Sequence, residues 1–438
     1  MRLLAWSVLL LLMAGCAPKE PAVTPLVYDL QYYPQDATAY AENISDKKNL
    51  LSVQQAYEIH YFLPWSYSTP PKSLDEVLWP FRSYTAEKMF GANLQPLPQS
   101  WYDGMYDAAN FSAYGTINRY AVTLQYANLR SFPTHKPLFK DPKIAGEGFP
   151  FDYLQNSGVH ANEPLFVSHY SKDGGWVYVF SSYATGWLPV YEIAYIPKNY
   201  TQKWQEAKQL HITKENFAIK DTEGRFVFYG RVGMMLPIIS IEAEHYVALS
   251  VTAGPYGSAT YTEVVVPKEA GRDVPLALNQ TTLPDLANQL LQSNYGWGGL
   301  YAERDCSSTL RDMYAPFGIW LPRNSFQQSG VGKSIPLQDL SESEKLERIK
   351  EKGIPFETLL YRKGHILLYL GVYDGTVMVL HNVWAIKTKS GETQGRKVIG
   401  KTVISSLKLG CEQPDYDEES GLLKNIESMN VITASMPD

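Results

Sequence analysis

Cys306 is the residue of this chain best placed to do covalent chemistry. It lies in YGWGGLYAERDCS, residues 295–307, where a glycine-rich approach (Gly296, Gly298, Gly299) leads into Asp305-Cys306-Ser307. A run with Leu310, Met313 and Phe317 at spacings of three and four follows, and Gly318 stands just beyond it. That pattern predicts a helix with a glycine cap at its end. With Asp305 as N-cap, Cys306 falls in the first helical turn. There the macrodipole favours an anion, so the thiol pKa is expected to fall from about 8.5 toward neutrality. A thiolate nucleophile also needs a base, and a group to orient the base. Two later histidines offer both: His365 opens an apolar strand after Gly364, and His381 closes the next strand. The plain alternative is a cysteine buried as apolar filler. Three glycines and several aromatic residues just upstream are poor core material and argue against it.

Strand register decides whether the two histidines can meet. Asp374-Gly375 marks the turn between their strands. A two-residue turn pairs Tyr373 with Thr376, which places His365 on a face with Asn382. A three-residue loop, with Gly375 left-handed in a bulge, pairs Val372 with Thr376 instead. His365 and His381 then share a face. An asparagine orients an imidazole as well as a histidine does, so Asn382 is the alternative third residue. The remaining histidines (His60, His135, His160, His169, His211, His245) form no cluster with metal-ligand spacing, so neither a metal nor a cofactor is expected.

YGWGG…DCS, LPRNS at 321–325, GHILLYLG at 364–371 and LH at 380–381 together resemble the NlpC/p60 cysteine peptidases. The resemblance implies a papain-like core with Cys306 as nucleophile, His365 as base and His381 orienting it, and so favours the three-residue loop between the two histidine strands. Ser308 stands where the family commonly has glycine, a change a helix tolerates. The Cys306 N–H is expected in an oxyanion hole, where losing one donor costs about 3–4 kcal/mol. Asp305 can receive a substrate ammonium, or serve only as the helix cap. Trp297 can wall a cleft, or pack in a core. Ser307 and Ser325 resemble family positions that hydrogen-bond substrate. In relatives with SH3-like modules the first barrel supplies a carboxylate and a tyrosine that clamp a free L-Ala amine, and Glu163 and Tyr183 are the candidates here.

The elements that must carry this site fill a long chain. At 438 residues, length alone suggests roughly three or four domains. A net charge of −6 provides no basic face for nucleic acid. The 31 tyrosines and 10 tryptophans suit small β-barrels and polar binding surfaces. The N-terminus, MRLLAWSVLLLLMAGC, reads as an export signal that ends in a lipobox-like Ala14-Gly15-Cys16. Cys16 is therefore the expected lipidation site, and by resemblance to Gram-negative lipoproteins Ala17 in place of Asp favours the outer membrane of a bacterial envelope. If Cys16 is lipidated and Cys306 catalytic, Cys411 is left as a bystander and no disulfide framework remains.

Residues 17–45 read as a tether and 46–116 as a helical clip, with a capping box at Ser73-Leu74-Asp75-Glu76. Alternating segments over 117–200, with Asp173-Gly174-Gly175 as a hairpin turn, resemble a bacterial SH3-like barrel. Residues 201–268 read as a second, less regular barrel, and 275–438 as the catalytic domain, whose first helix has Thr282 as its cap. The expected fold is thus multidomain α+β: a helical clip, two SH3-like β-barrels and a papain-like catalytic domain. The expected function is hydrolysis of peptidoglycan stem peptides between γ-D-Glu and a diamino acid by a lipid-anchored monomer. A non-catalytic wall-binding lipoprotein and an amidase or acyltransferase on the same fold are the alternatives.

Overall fold

The computed structural model describes residues 27–44 and 51–434. The export signal, the lipidation site at Cys16 and residues 17–26 and 45 of the expected tether lie outside them. Among the described residues no helix is long and apolar enough to cross a membrane.

Three antiparallel sheets carry the chain. Seven strands between Arg119 and Tyr195 form the first barrel, and seven between Gln209 and Arg272 form the second. A helix, Lys198–Glu206, separates them. The third sheet has six strands in the order Lys333–Pro336, Ser428–Val431, Thr358–Arg362, His365–Tyr373, Thr376–Ser390 and Thr393–Ser406. The helix Cys306–Tyr314 packs on one face of that sheet through Leu310 and Met313, which are buried with Ile366, Leu368 and Leu380. Leu337, Ile349, Leu367, Tyr369 and Val379 fill the opposite face. Side-chain alternation along the apolar strand sends even and odd residues to different cores.

The clip ties the domains together. Its helix Leu51–Tyr61 and the following turn bury Tyr57, Tyr61, Phe62 and Trp65 in a cluster shared with Val122, Trp204, Met235 and Ala315. Trp65 Nε1 also donates to the Ala121 carbonyl at 3.1 Å. The Ser73–Glu76 capping box is formed as the sequence predicts.

Two sequence expectations need correction. Residues 28–43, read as tether, form a helical arm docked on the catalytic domain. Asp29 accepts from the Ser406 N–H at 2.7 Å, and Gln35 exchanges two bonds with the Ile404 backbone, at 2.7 and 3.0 Å. Tyr40 is fully buried beside Tyr373. The Pro/Ala/Thr composition that suggests a tether ends before these residues, and the aromatic and amide side chains that follow have partners to bind. The second correction is the hairpin turn. Tyr373 pairs with Thr376 across a two-residue turn, with Asp374 at φ 47° and Gly375 at φ 75°. Asp-Gly with both φ positive is the type I′ geometry that matches strand twist. A bulge lies further up instead: Tyr369 opposes Val379, whereas Gly371 opposes Met378. Above it Leu368 faces Leu380, so His365 and His381 return to a common face.

Candidate active site

The local sequence places the cysteine as expected. Asp305 is the N-cap of Cys306–Tyr314, and its side chain accepts from the Ser308 N–H at 2.9 Å. Ser308 Oγ accepts from the Asp305 N–H at 3.0 Å, completing a capping box. The residue that departs from the family's glycine thus adds a cap bond. Gly318 closes the segment in the left-handed region, at φ 73°. For the first catalytic-domain helix, Thr282–Leu290, the cap position falls on Thr281, one residue before the expected Thr282.

A cavity of about 460 Å³ opens over Cys306. Asp305, Ser307, Arg323, Ser325, Tyr295 and Trp297 line it from the catalytic domain. Tyr183, Tyr153 and Gln155 line it from the first barrel, and Lys72 and Trp79 from the clip. Trp297 is both wall and packing: its ring meets Phe151 and Tyr153, and its Nε1 donates to the Asp152 carbonyl at 2.9 Å. Tyr183 donates to the Gly158 carbonyl at 3.2 Å, with the Arg311 guanidinium 3.7 Å from its ring centre. Glu163 does not line this cavity. It is 2 % exposed, accepts from Ser182 at 3.1 Å, and lies by Tyr61 and Arg311 in a small separate void.

The glycine-rich approach explains how barrel and catalytic domain meet. Gly298 and Gly299 have φ of 60° and 91°. A Cβ on either would stand 2.5 Å from first-barrel backbone, at Gln155 O and Gly158 N respectively. Gln155 and Tyr126 donate to the carbonyls of these two glycines at 3.1 and 2.8 Å.

His365 and His381 are brought together: His365 Nε2 lies 2.8 Å from His381 Nδ1, and His381 Nε2 lies 3.1 Å from Ser405 Oγ. Asn382 lies on the other face. Its amide donates to the Arg304 carbonyl at 2.8 Å, below the loop that leads to Cys306. The N–H of Ile366, the residue after His365, acts on the Cys306 sulfur as a hydrogen-bond donor.

The electrostatics correct the expected low thiol pKa. Burial, then the Asp305 carboxylate, push Cys306 up to about 12, against donation from the Ile366 N–H. Burial, then Arg362, pull His365 down to about 3. A half-turn of helix dipole does not outweigh removal of the sulfur from water. At rest the thiol and the imidazole are therefore both neutral.

Two buried charge systems flank the cysteine, and sequence reasoning missed both. Arg323 donates to Asp305 Oδ2 at 2.7 Å and Oδ1 at 3.2 Å, to Ser307 Oγ at 3.1 Å, and to Ser157 of the first barrel at 2.7 Å. Burial would raise the Asp305 carboxyl, but Arg323 offsets this and holds it below the usual carboxylate range. Asp305 is thus already paired with a cation. On the far side, Asp312 binds Arg304, Arg311 and His160 at 2.6, 2.7 and 3.0 Å, while Glu215 of the second barrel binds Arg304 and Arg231. The arginine inside LPRNS and the four charges at Arg304, Asp305, Arg311 and Asp312 were the available signals.

This architecture, a helix-borne cysteine against a sheet carrying paired histidines, defines a peptidase fold of the papain-like class. Family profiles match four consecutive segments: the N-terminal NLPC_P60 stabilising domain over 5–114, an SH3 domain of SH3b1 type over 137–189, an SH3 domain of SH3b2 type over 199–242, and the NlpC/P60 family over 292–403. Residues 292–403 thus form an NlpC/P60 domain, which follows a stabilising N-terminal domain and two SH3 domains. An NlpC/P60 endopeptidase of Photobacterium damselae subsp. piscicida superposes with a TM-score of 0.81 at 23% identity, over 92% of this chain and 98% of that one. An NlpC/P60 family protein of Bacillus cereus gives 0.43 at 17% identity, over 63% and 82%. No curated protein sequence matches.

Proposed function

We propose that the chain is a cell-wall endopeptidase that cuts stem peptides between γ-D-Glu and a diamino acid, diaminopimelate in the first instance. The observation that carries this reading is the His365–His381 contact at 2.8 Å, on the strand whose Ile366 N–H acts on the Cys306 sulfur. Cys306 is the nucleophile, His365 the base and His381 the group that orients it.

As the γ-carbonyl approaches, His365 takes the thiol proton and the sulfur forms a bond to the carbonyl carbon. The Cys306 N–H stabilises the oxyanion. The His365 imidazolium then protonates the leaving amine, the C–N bond breaks, and an acyl-enzyme remains. Water, deprotonated by His365, attacks the thioester and releases the γ-D-Glu carboxylate and the thiol. The tyrosine-lined first barrel beside the cleft supports recognition of a short peptide end, with Tyr183 at the wall. Ser307 and Ser325 are substrate contacts in this reading, and Trp297 shapes the cleft. A lipid on Cys16 would hold the enzyme at the envelope, facing the periplasm from the outer membrane. It acts as a monomer on peptidoglycan, without a cofactor.

The test is cleavage of L-Ala-γ-D-Glu-diaminopimelate by the chain and by Cys306→Ala, with products read by mass. Release of diaminopimelate by the first and not by the second is expected. Equal release by both would eliminate the thiol mechanism.

A further inference from the structure

We propose that Ser405 is a positioning residue: it fixes which nitrogen of His365 carries the proton, by holding His381 in one tautomer. The inference rests on the reading of Cys306 and His365 as nucleophile and base.

Ser405 is fully buried on the edge strand Thr393–Ser406, where its backbone pairs with Val379. Its Oγ lies 2.9 Å from the Ser406 carbonyl oxygen and 3.1 Å from His381 Nε2. A hydroxyl has one proton to give, and a carbonyl oxygen can only accept. Both contacts are satisfied only when Oγ–H donates to the carbonyl and accepts from a protonated Nε2. His381 is 1 % exposed, and burial with His365 beside it holds its pKa well below the usual range, so the ring is neutral. With Nε2 protonated, its Nδ1 is a bare acceptor. Nδ1 faces His365 Nε2 at 2.8 Å, so that nitrogen must be the donor. His365 is neutral as well, which leaves its lone pair on Nδ1, the nitrogen His381 does not touch.

The polarity of the whole relay is therefore set at Ser405. If Ser405 donated to His381 instead, the Ser406 carbonyl would lose that bond. Every donor in the relay would reverse, and His365 Nδ1 would carry a proton and be unable to take another from the thiol. The assigned polarity also survives catalysis: when His365 becomes an imidazolium, its Nε2–H keeps donating to the same acceptor. Only Nδ1 changes occupancy.

Imidazole nitrogen shifts by ¹⁵N NMR at pH 7, on the full chain carrying Cys306→Ala, read the tautomers without any turnover. Protonated-type shifts are expected for Nε2 of both His365 and His381, and unprotonated-type shifts for both Nδ1 atoms. Adding Ser405→Ala should move the His381 shifts to averaged values, while Ser405→Thr, which keeps the hydroxyl, should not. In the chain with Cys306 intact, Ser405→Ala should lower kcat/KM about tenfold, and Ser405→Thr should stay within about threefold of the parent. A protonated Nδ1 on His381 in the Ser405 chain would overturn the proposal. So would shifts and kcat/KM that ignore the alanine substitution. If Ser405→Ala does not fold, the tautomers of the parent and of Ser405→Thr still decide. An inactive parent would defeat the peptidase reading and leave the NMR result standing.

Discussion

Arg323 holds both carboxylate oxygens of Asp305, at 2.7 and 3.2 Å, and reaches across to Ser157 of the first barrel at 2.7 Å. One guanidinium thus orients the residue before the cysteine and fastens the barrel to it. Its side chain and that of Asp305 are 10 % and 13 % exposed, so the pair is shielded from water. Removing one member of such a pair strands the other charge, at a cost of about 3–5 kcal/mol. Arg323→Ala should lose stability on that scale in urea unfolding at pH 7. Arg323→Lys should recover part of it, because a lysine cannot reproduce the fork. A loss in the alanine variant below about 1 kcal/mol, the range of exposed pairs, would show that the contact does not hold the site.

Buried histidines and a buried carboxyl should shift stability in opposite directions across the same acid window. His211 is 1 % exposed and burial holds its pKa at about 4; His169 is likewise held at about 4. An unfolded chain protonates both near 6.5. Between those values the unfolded state binds more protons, so stability drops as pH falls from about 6.5 toward 4, by up to about 3 kcal/mol for each. Glu163 has the opposite sign. Burial raises its carboxyl to about 7, so the unfolded state loses its proton first and stability drops as pH rises from 4.5 to 7. Glu163→Gln should therefore gain on the parent by up to about 3 kcal/mol between pH 5 and pH 8. Melting at the two pH values checks this, and an offset independent of pH would refute it.

Gly299 is one of two glycines at which the loop leading to Cys306 touches the first barrel closely. Its φ of 91° and the Gly158 N atom 2.5 Å from a would-be Cβ leave no room for a methyl group. Gly299→Ala should cost about 2 kcal/mol or more, through strain and separation of the two surfaces. Gly174, with φ of 71° and nothing within 4 Å, is the control: Gly174→Ala pays only the backbone term, about 1 kcal/mol. Chemical denaturation of both variants checks the difference, and equal losses would contradict it.

Much of the site was legible because its signals are local. The N-cap at Asp305, the glycine cap at Gly318 and the apolar strand after His365 depend on neighbours within a few residues. The hairpin was half legible. Asp374-Gly375 marks the turn, but the bulge that restores the histidine register depends on Gly371, whose φ is 106° and against which Asn43 packs from the N-terminal arm. No pattern within 365–381 encodes that contact. The thiol pKa was illegible for the same reason. Helix position is a sequence property, whereas burial of the sulfur depends on distant chain. The network joining Glu215, Arg304 and Asp312 links segments far apart in sequence, so only the individual charges could be seen.

The orienting role proposed for His381 can be tested against its neighbour. His381 contacts His365, while the Asn382 amide supports the Arg304 carbonyl and its Oδ1 has no partner among the described residues. The two side chains occupy opposite faces of one strand, so their losses should separate cleanly. His381→Ala should lower kcat/KM by about 10² or more with a smaller effect on KM, because the base loses its orientation. His381→Asn should restore part of the activity, since an amide oxygen can accept from His365 Nε2. Asn382→Ala should cost about 1 kcal/mol of stability, because the Arg304 carbonyl loses one of two donors and keeps the Gly296 N–H at 2.8 Å. Its kcat/KM per folded molecule should stay within a few-fold of the parent. Steady-state kinetics beside urea unfolding reads both quantities. A large kinetic loss in Asn382→Ala with a mild one in His381→Ala would reassign the orienting role to the asparagine.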